Sequence, residues 1–385
     1  MILKCCKKGS YDFLRYFVFV VVGVILLPNS AFCSENLEGT ESKEPSHAKS
    51  KFNVGETIIE HVVDAYQWHI MDVKGKAIAI DLPVILIDNE GIHVFSSAHF
   101  EHGHQPYKGY AICHQKGMKK GKIVKIHENG EIDNDFFYLD LSITKNVLSL
   151  FIGIAVILAI FLSVARNYKK RGVQAPKGIA RAIEPLVLFV RNDIARPCIG
   201  KKSEKYLPFL LTMFFFIFIN NLLGLVPFFP GGANLTGNIS ITAVLAAFTF
   251  IITNVSGNRD YWKHIVNPPG VPWWLKIPIP LIPLVELIGV FTKPIVLAIR
   301  LFANITAGHI IALGFICLIF IFGQMSPALG GGVSVGSVAF YIFMGLLELL
   351  VAFIQAFVFT LLSAIYIGLA VEEHHHKEPS VAEIK

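Results

Sequence analysis

The run Pro294-Ile-Val-Leu-Ala-Ile-Arg300-Leu-Phe-Ala-Asn304-Ile-Thr-Ala-Gly-His309 sets one arginine in an otherwise apolar helical stretch, with no acid within a dozen residues. From Pro294 to Val371 the only formally charged side chains are Arg300 and Glu348, although the stretch is long enough to enter a bilayer twice. A guanidinium at membrane depth costs at least about 2.5 to 3.5 kcal/mol and persists only against a partner or a water path. It cannot escape by deprotonating, since its pKa lies above about 12.

Outward from that stretch, the 385-residue chain is 54% hydrophobic and 16% charged, with a mean hydropathy of +0.57. That composition excludes an ordinary soluble domain and indicates an all-α polytopic membrane protein. The net charge of +6 does not point to nucleic acid. The basic residues cluster beside hydrophobic spans, where membrane topology accounts for them.

Lys4, Lys7, Lys8 and Arg15 precede an apolar run from Tyr16 to Leu27, then Pro28 and the site Ala31-Phe-Cys33. Residues 1–33 are therefore expected to be a signal peptide, with an uncleaved anchor as the alternative. Phe32 is too bulky for the small-residue site that lipidation of Cys33 requires. Of six cysteines only Cys113 falls in the exported part, so no disulfide framework is expected.

Residues 34–140 read as a polar linker and a small β-rich exported N-terminal domain, from alternating runs such as Lys76–Asp81, Val84–Asp88 and Lys122–Ile126. Its histidines, including His99, His102 and His104, lack a regular ligand spacing, so no metal site is expected. Residues 141–375 form the membrane domain and 376–385 a cytoplasmic tail. Asn146–Ala165 is a first span, followed by Arg166, Lys169, Lys170 and Arg171; Gly178–Ile194 suits an interfacial helix. Leu207–Val226 and Ile239–Asn254 form a hairpin around an uncharged outer loop. Two long spans, Pro283–Phe322 and Gly336–Val371, flank a loop from Gln324 to Gly336 without Lys or Arg. At 1.5 Å per residue these last two are about 60 and 54 Å long against a core near 30 Å, so they must tilt steeply. The loop charges alternate to put the N-terminal domain outside and the C-terminus in the cytoplasm.

Glu286, Lys293 and Arg300 recur at intervals of seven and share one helix face, which Asn304 extends; Glu348 and Gln355 repeat the interval on the second helix, with Ser363 and Tyr366 continuing along it. The plainer reading of Asn304 and Gln355 is hydrogen bonding between helices. Interhelical bonding does not require the permanent charge of Arg300. His309, with an ordinary pKa near 6.5, and Glu348 can each take and release a proton, as a relay needs.

These residues carry a resemblance. The run from Glu286 through Lys293-Pro294 and Arg300-Leu-Phe-Ala-Asn304 to His309, then Gln355-Ala-Phe-Val-Phe359 and Tyr366, with Asn221-Leu-Leu-Gly-Leu-Val-Pro227, resembles subunit a of the rotary F-type ATP synthase. The resemblance implies the proton-conducting stator of the membrane sector in a bacterial inner membrane, beside the c-subunit ring and near the b-subunit peripheral stalk. Arg300 would face the ring carboxylate, with Gln355 close by. His309, Glu348 and Asn304 would line the outer proton route and Glu286 the cytoplasmic one, with Lys293, Asn221 and Tyr366 in support. Other members carry the acid at the place of His309 and the histidine at that of Glu348. No cofactor is implied, and the absence of a Gly-x-x-x-x-Gly-Lys-Ser/Thr loop assigns nucleotide chemistry to other subunits. Two other readings compete: a secondary transporter with Arg300 binding an anionic substrate, for which no internal repeat is visible, and a purely structural anchor.

Overall fold

The computed structural model describes residue 55 and residues 63–73, 76–89, 91–103, 105–113, 121–126, 132–133, 138–171, 177–226, 231–266 and 281–372. The expected signal peptide, the linker and the tail from 376 lie outside the described residues.

Alternating valine, leucine and isoleucine give the short strands that the sequence predicts. Strand β1 (Gln67–Val73) pairs antiparallel with β2 (Lys76–Asp81). A second sheet runs in the order β4-β3-β7, from β3 (Pro83–Asp88), β4 (Gly91–Ser96) and β7 (Leu139–Asp140), and β5 (Tyr110–Ile112) pairs with β6 (Ile123–Lys125). One face of β3 turns Val84 and Leu86 inward onto Phe95, Phe100, Tyr110 and Ile123, a small core separate from that of the helices.

The sheet passes into the helices without a slack linker. Beyond β7, the Leu141 and Ile143 amides still donate to the Ile85 and Pro83 carbonyls, at 2.9 and 3.0 Å. Helix α1 (Lys145–Arg171) starts two residues later. It runs past the expected end at Ala165 and takes Arg166, Lys169, Lys170 and Arg171 into its last turns, where cations complement the C-terminal end of the helix dipole.

Helix α2 (Ile179–Phe189) continues through a π-helical turn, Val190–Ala195, into the single turn α3 (Arg196–Ile199). Helix α4 (Ser203–Leu225) follows. It is apolar all round, the pattern of a helix enclosed on every side. Phe209, Leu210, Met213, Phe214, Phe215, Phe216 and Ile217 are fully buried. Phe215 meets Phe161 of α1 edge-on at 4.9 Å between ring centroids.

Helices α5 (Ile239–Ser256) and α6 (Arg259–Val266) lead to the two 45-residue helices α7 (Leu281–Met325) and α8 (Pro327–Val371). Five helical stretches are long and apolar enough to cross a membrane. The inner half of α8 packs on α4, α5 and α3. At Gly368 any Cβ would come within 2.0 Å of the Cys198 carbonyl oxygen, so glycine is what lets α3 close on α8. Pro294 lies inside α7, and the helix continues through it.

The start of α8 also differs from expectation. The glycine-rich stretch from 327 to 336, read as loop, is helix: α8 begins at Pro327, and only Ser326 separates it from α7. Proline is favoured in a first helical turn, and Gly330 lets α8 approach Gly323 of α7 closely, which offsets the poor helix propensity of the run.

Candidate functional site

His309 and Glu348 meet between α7 and α8. His309 Nδ1 and Glu348 Oε1 share a hydrogen bond, with the carboxylate 8% exposed. A carboxylate this far from water needs such a partner. The pair borders a polar cavity, large enough for about one water, which Asn220 and Asn221 of α4 and Asn234 and Thr236 of the 231–238 loop also line. Thr236 Oγ1 donates to Asn221 Oδ1, and Asn221 Nδ2 donates to the Ala352 carbonyl at 3.3 Å, pinning loop, α4 and α8 together. Thr306 Oγ1 donates to the Gly237 carbonyl at 3.3 Å and joins α7 to the same loop.

A second polar cavity lies toward the other end of the helix pair, lined by Thr249, Thr253 and Asn254 of α5, Tyr261 of α6, Lys293 of α7 and Tyr366 of α8. The Lys293 ammonium sits 5.7 Å from the centre of the Tyr366 ring, within cation–π range. The α5–α6 turn is held over this cavity by Asn258, whose backbone and side-chain N–H groups donate to the Ala370 and Val371 carbonyls at 2.9 and 2.8 Å. These carbonyls end α8 and have no helical partner. Burial and then the nearby charge of Glu286 push the Tyr261 phenol up.

Arg300 stands between the cavities. It is seven residues from Lys293 and nine from His309, about 10.5 and 13.5 Å along the helix axis. It belongs to neither cavity. It is exposed on a face shared with Val296, Ile299, Ala303 and Asn304, and forms no ion pair with a carboxylate among the described residues. Tyr366 is within its electrostatic range.

The structure thus brings together His309, Glu348 and Asn221, and separately Lys293 and Tyr366, and leaves Glu286 lining neither cavity. It does not bring Asn304 to the His309–Glu348 pair, nor join the buried Gln355 to Arg300 by a hydrogen bond. Asn220, Asn234, Thr236, Thr249, Thr253, Asn254 and Tyr261 were not expected. Asn220 and Asn254, polar amides inside or ending apolar spans, carried a legible signal; Asn234 and Thr236 read only as turn residues. In the N-terminal domain His93 lies 3.3 Å from Asp88 and His99 lies tilted against Tyr107, and no metal-binding group of three is found among the described residues.

Residues 147–368, more than half the chain, match the family model described as ATP synthase A chain. The chain belongs to that family. Similar curated proteins include ATP synthase subunit a 2 of Prosthecochloris aestuarii, 43% identical over 75% of this chain and 87% of that one. Subunit a of Pelodictyon phaeoclathratiforme is 48% identical over 69% and 81%, and that of Myxococcus xanthus 40% identical over 78% and 93%. Residues 57–144 match a separate model, a domain of unknown function. The ATP synthase A chain is a component of the ATP synthase complex, and its several apolar helices make this a multi-pass membrane protein of the proton-translocating sector. Nothing favours the transporter reading.

Proposed function

We propose that the two polar cavities are the inner parts of two offset aqueous half-channels, and that Arg300 between them is the fixed charge that a ring of c subunits passes. The observation that carries this is the order along α7 and α8: His309 and Glu348 at one cavity, Arg300 and Gln355 in the middle, Lys293 and Tyr366 at the other. Protons enter at the outer cavity, over the His309–Glu348 pair, and leave at the inner one past Tyr366 and Glu286. The N-terminal domain then lies in the periplasm and the C-terminus in the cytoplasm, in keeping with the basic residues of α6 and of the end of α1.

A proton crossing 100 mV releases about 2.3 kcal/mol, which becomes rotation only if no direct path joins the two cavities. An arginine on the exposed face meets each arriving carboxylate and favours its ionised form, since a close opposite charge lowers a carboxylate pKa by about 1 to 3 units. The freed proton site must then turn away before it is refilled. An internal partner would occupy the charge, which agrees with Arg300 having no carboxylate beside it among the described residues. The peripheral stalk of b subunits and nucleotide chemistry on other subunits complete the assignment. Arg300→Ala in the assembled complex is expected to abolish ATP-driven proton pumping into inverted membrane vesicles. Coupled pumping by that variant would overturn the reading.

A further inference from the structure

Asn234 is 3% exposed in the loop between α4 and α5, and its amide does two different things. Its Oδ1 accepts the Gly237 N–H at 2.9 Å, closing a local turn. That bond fixes the orientation of the amide. The opposite atom, Nδ2, is buried and has no hydrogen-bond partner. A turn needs only the acceptor, so the donor is not explained by the loop. Asn234 lines the cavity that His309 and Glu348 share, and that cavity has room for about one water. An amide donor left dry would cost roughly 1 to 3 kcal/mol.

We infer that Asn234 Nδ2 holds a water in this cavity, within hydrogen-bond reach of the His309–Glu348 pair, making Asn234 a positioning residue for the proton that enters there. The ligand is a single water whose oxygen accepts from Asn234 and whose hydrogens point to the pair. A proton arriving on that oxygen leaves it, on the far side, for the carboxylate or the imidazole; no bond other than O–H and N–H changes. The inference rests on the half-channel reading above and adds the device that orders the water.

Asn234→Asp separates the two tasks. Aspartate keeps the acceptor for Gly237 and the side-chain shape, yet offers a donor only when protonated. The titratable groups facing the cavity are His309 from α7 and Glu348 from α8; α4 and the loop present neutral groups. In assembled complex freed of its nucleotide-binding part, passive proton flux through Asn234→Asp is expected to fall about tenfold at pH 8, the worth of one lost hydrogen bond of about 1.4 kcal/mol. It should recover toward the unaltered complex at pH 6. Flux equal to the unaltered complex at both pH values would overturn the inference and leave a turn residue. A measurement that needs no variant is an experimental density map of the complex: solvent density within hydrogen-bond reach of Asn234 Nδ2 supports the inference, and a dry cavity overturns it. Normal flux in Asn234→Asp together with loss of pumping in Arg300→Ala removes the water site alone; pumping by Arg300→Ala removes the half-channel reading beneath it.

Discussion

At the scale of single residues, the chemistry rests on pairs rather than on isolated groups. Glu348 is buried and bonded to His309, so removing either partner strands the other in a place that offers no substitute. Breaking a buried pair costs about 3 to 5 kcal/mol, whereas exchanging its members keeps the bond and the proton site. His309→Ala and Glu348→Ala are each expected to reduce proton flux at least about tenfold. The exchange His309→Glu with Glu348→His should conduct several-fold better than either single variant, as measured by passive flux in vesicles. An exchange as inactive as the single variants would show that position, and not pairing, is what matters. Arg300, His309 and Glu348 were legible in the sequence because a charge in an apolar run has no ordinary explanation. Asn234 was not: in a loop rich in Gly, Pro and Asn its amide is indistinguishable from turn chemistry until the fold leaves one half of it unpaired. Gln355 lay between these cases, legible by its interval from Glu348 but joined to Arg300 only through the family resemblance.

At the scale of elements, the length of α7 and α8 was readable from apolar runs, and the start of α8 was not. Glycine lowers helix propensity, so Gly330-Gly-Gly332 reads as a break unless one knows what packs there. What packs there is α7: a Cβ on Gly330 would lie 2.7 Å from the Gly323 Cα, while one on Gly331 meets nothing within 4 Å. Two neighbouring glycines therefore carry opposite expectations. Gly330→Ala must push the helices apart and should destabilise by about 1 to 3 kcal/mol, as overpacking does. Gly331→Ala should be neutral or stabilise by up to about 1 kcal/mol, by reducing backbone entropy in the unfolded chain. Thermal unfolding of the purified chain in detergent separates the two, and equal melting temperatures would mean that the close approach at Gly330 relaxes freely. The enclosure of α4 and the exposed faces of α7 and α8 could not be told apart by hydropathy, since lipid, protein core and a neighbouring subunit all select the same residues.

At the scale of the whole molecule, a small β domain adjoins the start of the first span, and Asp64 joins them. Its Oδ1 accepts the Ala65 and Asn146 amides, both at 3.0 Å, and its Oδ2 accepts the Thr144 hydroxyl at 2.8 Å. One carboxylate thus caps α1 from a residue about eighty positions earlier and fastens the domain to the first span. Burial raises the Asp64 carboxyl above its ordinary value of 3.8, although these hydrogen bonds and the nearby charge of Lys145 act to lower it. The folded chain then holds a proton over a range above pH 3.8 in which the unfolded chain has released it. Stability must fall as pH rises through that range and level off above it, because the folded state binds more protons there. Asparagine has the acceptor for both amides and can donate to the Thr144 oxygen, without a charge to bury. Asp64→Asn is therefore expected to match or exceed the unaltered chain in melting temperature at pH 7 and to lose this part of the pH slope, while Asp64→Ala, which leaves the α1 amide uncapped, should cost about 1 to 2 kcal/mol. If the asparagine variant proved as unstable as the alanine one, the charge itself, and not the hydrogen bonds, would be what fastens the domain to the first span.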